Sequence, residues 1–381
     1  MMPSRTGSLA LLASLTFATS IWACKVPVFR YALERWPADR YTVVAIIDGA
    51  PDPKTEDALQ ALEVLRSSDA NVRVEITDLS KLTEAEFWSV DGLENTDQVP
   101  VLQVFYPEYK TGWRRLCWSG DLTAENVDSW RHSPLREQIA RKLRSGVSAV
   151  WVLIEGEDEA ENSQSLRKLE LALEEAQSKT TIPEGVIRRR DAASAFEQDA
   201  TLSMDDVLRC DLPLRVEFSI VVLKHNDPTE WALRAMVQGL AEAEMAPCTT
   251  PVFGRGRMIE PLPMSSFNDE SVPRACSYLF GECSCSVKAL NPGIDLILDC
   301  NWRDLLGDEI IVSETGTATE SGPITIPPGK AATRSMGEAK APPSGRSSAA
   351  PARHSMIVIL VAGALCLLIW SCRAAWRHWP S

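Results

Sequence analysis

Met356 to Trp370 reads MIVILVAGALCLLIW without a single charge, and this run constrains the chain more than any other stretch. Together with the flanking Ser355, Ser371 and Cys372 it reaches the lower edge of the roughly 17 to 25 residues that a membrane-spanning helix needs. Residues 356–372 are therefore expected to be a transmembrane helix. A buried core helix is the poorer reading, because only RAAWRHWPS, residues 373–381, follows. Arg373, Arg377, Trp376 and Trp379 suit a membrane interface, so this tail is expected in the cytoplasm. At the other end, Arg5 precedes an apolar stretch from Leu9 to Trp22, the layout of a secretory signal peptide over residues 1–23. Ala18 and Ser20 supply a small-x-small cleavage pattern, while Ile21-Trp22-Ala23-Cys24 partly matches a lipoprotein box and makes Cys24 a candidate for lipidation; Trp22 is bulky for that box.

Residues 313–355 are rich in Ser, Thr, Gly, Ala and Pro and hold almost no large apolar side chain. Such a segment cannot bury enough surface to offset its ordering entropy, so a disordered stalk is expected. These features place the globular part on a tether at the extracytoplasmic, periplasmic face of a membrane. The net charge of −13 is spread along the chain, which argues against a nucleic-acid or anionic-lipid partner. Of ten cysteines, Cys366 and Cys372 belong to the anchor and its edge, leaving Cys24, Cys117, Cys210, Cys248, Cys276, Cys283, Cys285 and Cys300. An even count in an exported chain favours disulfides, whose pairing the sequence leaves open.

The segment between leader and stalk runs twice through one pattern. VFRYALERW predicts a short helix, Tyr41 to Asp48 a buried strand of β-branched residues, Lys54 to Ser68 a helix, and Val72, Val74 and Ile76 an alternating strand. Strand, crossover helix and strand suggest a parallel βαβ unit. Val99-Pro100-Val101 then leads into a further strand, Leu116 to Ser119 offers an antiparallel partner, and Thr123 to Ser145 a closing helix. The second pass has strands at Ser148 to Glu155 and Leu214 to Leu223, a helix at Asn162 to Gln177, and a helix capped by Asp227-Pro228. Thr250-Pro251-Val252 matches the earlier Val-Pro-Val step, VFGRGRMIEPL reads as a hairpin turning at Gly254 to Gly256, and Asp269 to Phe280 as a last helix.

This order of elements, with a Val-Pro-Val step entering a strand, resembles a thioredoxin-like domain. The resemblance implies an α/β fold of two tandem divergent thioredoxin-like domains, residues 24–146 and 147–312, the second with an insertion between Ser178 and Asp211. It also makes Pro100 and Pro251 candidates for cis prolines. Where thioredoxins carry Cys-x-x-Cys, this chain has Gly49-Ala50-Pro51-Asp52. Cys24 to Trp36, Phe253 to Arg257, and Cys283 to Gly293 together resemble an uncharacterised family of exported, membrane-anchored bacterial proteins, a resemblance that implies no activity.

Three features carry chemistry. Cys283-Ser284-Cys285 is either a redox dithiol, a soft-metal clip, or two structural cysteines that pair separately, Cys276 and Cys300 being near in sequence. A metal reading is the weakest, because Cys276, Cys283, Cys285 and Cys300 lack paired Cys-x2-Cys knuckles, and no cofactor is expected. Arg255-Gly256-Arg257 offers guanidinium forks beside an open backbone, a candidate anion or partner site. Outside stalk and tail only His132 and His225 remain for acid–base work, and there is no H-E-x-x-H, G-x-S-x-G or phosphate loop. The expected function is a non-catalytic binding or assembly module of the cell envelope, with envelope proteins as partners. The alternative is a thiol-disulfide oxidoreductase or thiol-metal carrier that uses Cys283 and Cys285.

Overall fold

The computed structural model describes residues 24–87, 99–108, 114–239, 247–283 and 288–306, all within one unit, Met1–Thr319. The expected signal peptide (1–23), stalk (313–355), transmembrane helix (356–372) and tail (373–381), together with Cys285, lie outside the described residues. Among the described residues no helix is long and apolar enough to cross a membrane.

The fold is mixed α/β. Strand β1 (Cys24–Pro27) runs straight into helix α1 (Val28–Arg35). β2 (Tyr41–Ile47), α2 (Pro53–Ser67) and β3 (Val72–Asp78) follow as a crossover unit, with β2 and β3 parallel in register from Tyr41↔Val72 to Ile47↔Asp78. β2 is buried along all seven residues, as its unbroken apolar run requires between two covered faces. α2 starts where Asp52 accepts a hydrogen bond from the Thr55 amide (2.8 Å) and Pro53 takes the first helical position. β4 (Val101–Phe105) pairs antiparallel with β2, and β5 (Leu116–Asp121) antiparallel with β4, giving the order β3-β2-β4-β5.

Thr123 to Ser145 is not the single closing helix that its periodicity suggests. It forms α3 (Ala124–Arg131) and α4 (Pro134–Arg144), because Pro134 supplies no amide to continue the first helix and Ser133 caps the second. The second pass is then built on β6 (Ala149–Ile154), α5 (Glu159–Lys179), β7 (Phe218–Leu223), α6 (Trp231–Gln238), β8 (Cys248–Phe253) and β9 (Arg257–Met258). Beyond these come β10 (Leu262–Pro263), α7 (Ser271–Leu279), β11 (Glu282–Cys283) and β12 (Ile294–Asp295), with short helices at Glu84–Phe87, Ala192–Gln198 and Arg303–Leu306. β6 is parallel to β7 and antiparallel to β8, and β8 is antiparallel to β9, so β7-β6-β8-β9 repeats the order and directions of the first sheet, with β12 added beyond β9.

The Val99–Pro100 peptide bond is cis, and it is the only cis bond recorded among the described residues. Pro251 is therefore not a second cis proline. It lies inside β8 opposite Trp151, whereas Pro247 is the residue that precedes β8 as Pro100 precedes β4. The Thr-Pro-Val likeness was displaced by four positions along the strand.

The change of sheet falls between Arg144 and Ala149, yet the buried apolar core does not divide there. One cluster includes Tyr41, Leu62, Trp130 and Ile139 from the first pass and Val150, Val152, Met236 and Leu298 from the second. Trp118, Trp130 and Trp231 meet at centroid distances of 4.9 to 5.9 Å, tying β5 and α3 to α6. Arg136, 2 % exposed, donates to the Trp130 carbonyl (2.9 Å) and the Ile297 carbonyl (3.1 Å). Its Nε donates to Ser133 Oγ (3.1 Å), so the buried guanidinium is hydrogen-bonded by neutral acceptors at a desolvation cost, and burial pulls its pKa down to about 10.

Candidate functional site

Helix α1 has every residue buried, including Arg30, Glu34 and Arg35, which a surface helix would leave in water. Their charges are satisfied by one another and by the chain around 204–212. Glu34 accepts from Arg30 Nε (2.7 Å), Arg35 Nη1 (3.1 Å) and the Arg209 amide (2.8 Å), while Arg30 reaches the carbonyls of Cys210 (2.8 Å) and Leu212 (3.0 Å). Arg35 Nη2 donates to the Val207 carbonyl at 2.6 Å. The segment read as an insertion thus returns to bury the opening helix, and the Phe-Arg-Tyr-Ala-Leu-Glu-Arg stretch is a hub of the fold.

The predicted Arg255 and Arg257 anion site is built differently. Gly254 and Gly256 have φ of +60° and +102°, and a Cβ on Gly254 would stand 2.7 Å from the Cβ of Ala32, so the hairpin turn presses directly on α1. Arg255 spends its fork on the last carbonyls of that helix, Leu33 (2.9 Å) and Glu34 (3.3 Å). Arg257 is fully buried over the Trp36 ring and donates to the carbonyls of Pro292 and Asn291, both at 2.9 Å. Its Nη1 lies 3.3 Å from Asp39 and 3.4 Å from Asp295, and Lys288 Nζ lies 2.6 and 2.5 Å from the same carboxylates. Two cations face two anions in this cluster. Burial pushes the Asp295 carboxyl up, and Lys288 pulls it back. With both guanidinium groups buried and spent on these partners, neither arginine is presented to an external anion.

Cysteine placement decides what thiol chemistry is open. Cys117, Cys210, Cys248, Cys276 and Cys300 are all unpaired. Burial pushes the thiol of Cys117 up to about 12 and those of Cys210, Cys248 and Cys300 up to about 11; Cys276 is shifted upward for the same reason. Thiolates carry the nucleophilicity, so these five are inert near neutral pH. Cys276 and Cys300 are unpaired, so neither is the partner that the sequence suggested for Cys283 or Cys285. Of the Cys283 and Cys285 pair, Cys283 lies on β11, where it stands opposite Cys24 of β1, and Cys285 lies outside the described residues.

The loops that leave the first strand of each sheet for its long helix contain no cysteine. In the first, the Gly49 amide donates to Asp78 (3.0 Å) and Asp52 caps α2. In the second, Gly156 and Asn162 exchange hydrogen bonds of 2.8 and 2.9 Å, and Asp158 caps α5. Both loops are tied down by their own helix caps.

A cleft of about 900 Å³ opens between α5 and α7. Its floor is apolar through Ala172, Ala176 and Phe280, and its mouth is charged through Lys168, Glu175 and Lys179. Leu171 on the same helix is 68 % exposed. No sequence periodicity announces this cleft, because α7 meets α5 from more than ninety residues away. Among known proteins, no family model and no curated entry matches the chain.

Proposed function

We propose that the chain is a non-catalytic binding or assembly module of a cell envelope, made of two divergent thioredoxin-like units. In this reading residues 1–23 export it, residues 356–372 anchor it, and the ectodomain faces the periplasmic side with envelope proteins as partners. The uncharacterised family of membrane-anchored bacterial proteins resembled by its motifs is the group in which it belongs.

The observation that carries the reading is the repeated β3-β2-β4-β5 and β7-β6-β8-β9 order combined with cysteine-free loops, Gly49 to Asp52 and Glu155 to Asp158, at the entry to both long helices. A thioredoxin places its attacking thiol at such a helix start, where the dipole lowers its pKa. Here that position holds capping aspartates. What remains of the fold is a rigid scaffold with an open, charge-rimmed cleft, which suits docking of a polypeptide.

The test has two arms. Purified full-length chain in detergent is given a disulfide-bonded protein and a dithiol, and exchange at the uncatalysed rate is expected. Acceleration that disappears in Cys283→Ser would overturn the reading in favour of the oxidoreductase. A photo-crosslinking residue at position 171 is expected to trap a discrete envelope protein, and a shared loss of crosslinks across Lys168→Glu and Lys179→Glu variants is expected.

A further inference from the structure

The ribbon formed by β1 and β11 sets Cys24 directly opposite Cys283, with Pro27 opposite Glu282 and a register shift between. Residues facing one another across antiparallel strands have Cα atoms about 4.5–5.5 Å apart, inside the roughly 4.4–6.8 Å that a disulfide bridges. The other five described cysteines are unpaired and dispersed through the two cores. A two-stranded ribbon is marginal alone, and this one leads into the fully buried α1, joined additionally by the Val28 amide to the Gly281 carbonyl at 3.2 Å.

We propose that Cys24 and Cys283 form a disulfide that staples the N-terminal strand to the chain following α7. Each cysteine gives up its thiol proton, the pair gives two electrons to a disulfide such as oxidised glutathione, and that oxidant leaves as two thiols while one S–S bond forms. The bond closes a loop of roughly 260 residues, so it restrains the unfolded chain strongly. It is incompatible with lipidation of Cys24, which would occupy the same sulfur as a thioether. It also leaves Cys283 unavailable to a Cys283–Cys285 dithiol. In the cell it rests on the export reading, since export supplies the oxidising compartment.

The experiment separates the two. Purified full-length chain is reduced, reoxidised with glutathione disulfide, alkylated and digested with trypsin; the same map is made on chain taken directly from exporting cells. Arg274 and Lys288 bracket one peptide holding Cys276, Cys283 and Cys285, so variants assign the link. The expected result is this peptide joined to the one ending at Lys25, persisting in Cys285→Ser and Cys276→Ser and lost in Cys283→Ser. Reduction is expected to lower Tm by roughly 5 to 15 °C in the wild type and not in Cys24→Ser. A link that survives Cys283→Ser, an internal Cys283–Cys285 loop, or a thioether lipid on Cys24 would overturn the proposal. A link formed with glutathione but absent in cells would leave the bond's geometry sound and overturn its formation in cells, together with the export reading. Should Cys24→Ser misfold, the wild-type and Cys285→Ser maps decide alone.

Discussion

Replacing Arg257 with leucine tests whether the Phe-Gly-Arg-Gly-Arg turn serves the fold or a ligand. The substitution removes two hydrogen bonds to the carbonyls of Pro292 and Asn291 and one of two cations that neutralise Asp39 and Asp295. Each orphaned carbonyl costs about 1–3 kcal/mol where water cannot reach, and breaking a buried ion pair costs about 3–5 kcal/mol in total. These terms overlap, so the expected loss is about 4 kcal/mol. For a unit of this size that corresponds to a fall in Tm of roughly 10 °C. Thermal denaturation of the full chain, followed by near-ultraviolet circular dichroism, reads it directly.

The pH dependence supplies a sharper check. Asp295 already has its folded pKa raised by burial, and loss of Arg257 raises it further because only Lys288 then opposes the desolvation. A carboxyl whose folded pKa exceeds its unfolded value binds more protons when folded, so its contribution to stability is present at low pH and is lost as pH rises through the folded pKa. The Arg257→Leu deficit is therefore expected to shrink on moving from pH 7 towards pH 4.5. Arg257→Lys is expected to lose less, since it keeps the charge and gives up the fork. A variant within about 1 kcal/mol of wild type would refute the argument. So would a wild-type stabilisation by sulfate that vanishes in the variant, because it would return the arginine to an anion site.

Three further outcomes follow from the same packing. Glu34→Ala removes the carboxylate between Arg30 and Arg35, and chemical denaturation is expected to show a loss of about 3–5 kcal/mol, with Glu34→Gln intermediate. Gly254→Ala places a Cβ 2.7 Å from that of Ala32 at a φ of +60°, and a drop of about 2 kcal/mol or more is expected in the same measurement. At pH 8 the thiols of Cys117, Cys210, Cys248 and Cys300, with pKa values pushed up to about 11 or 12, expose on the order of one thousandth or less as thiolate, so iodoacetamide labelling is expected only on unfolding.

The strands and the long helices were legible because their signals are local. Tyr41 to Asp48 announces a buried strand through its β-branched run; the helix starts expected at Lys54 and Asn162 fall one and three residues late, because Asp52 and Asp158 cap helices that begin at Pro53 and Glu159. Pro134 was equally local, and giving its missing amide full weight would have divided Thr123 to Ser145 into the two helices found. What local pattern does not contain is the partner of a charged residue. Arg30, Glu34, Arg35 and Arg257 look like solvated charge in sequence; contacts spanning 170 residues or more bury the first three, and Arg257 is made interior by Asp39, 218 residues away, together with the carbonyls of Asn291 and Pro292. The displaced Pro251 assignment has the same origin. Thr-Pro-Val is a three-residue likeness, whereas the step into β8 is set by pairing with β6.

The repeated strand order carries one further consequence for how the chain works. Had the two passes been independent beads, each would own a core and a hinge would lie near residue 146. Instead α4, which closes the first pass, lies against the second sheet, with Arg136 bonded to the Ile297 carbonyl and the Leu135 amide bonded to Glu230. Tyr106 beside β4 donates to the Met236 carbonyl of α6 at 2.8 Å, and the tryptophan trio seals the same seam. Opening that seam would expose Trp130, Ile139 and Met236 together, each worth about 1.5–3 kcal/mol of burial, and would break the Arg136–Ile297 and Leu135–Glu230 hydrogen bonds. The two passes therefore act as one rigid body, and a ligand bound in the cleft between α5 and α7 meets a surface already formed. Hydrogen exchange gives the discriminating measurement. Amides of β2 and β6 are expected to share one high protection level set by global unfolding, and protection that differs by two orders of magnitude between them would mean that the seam opens on its own.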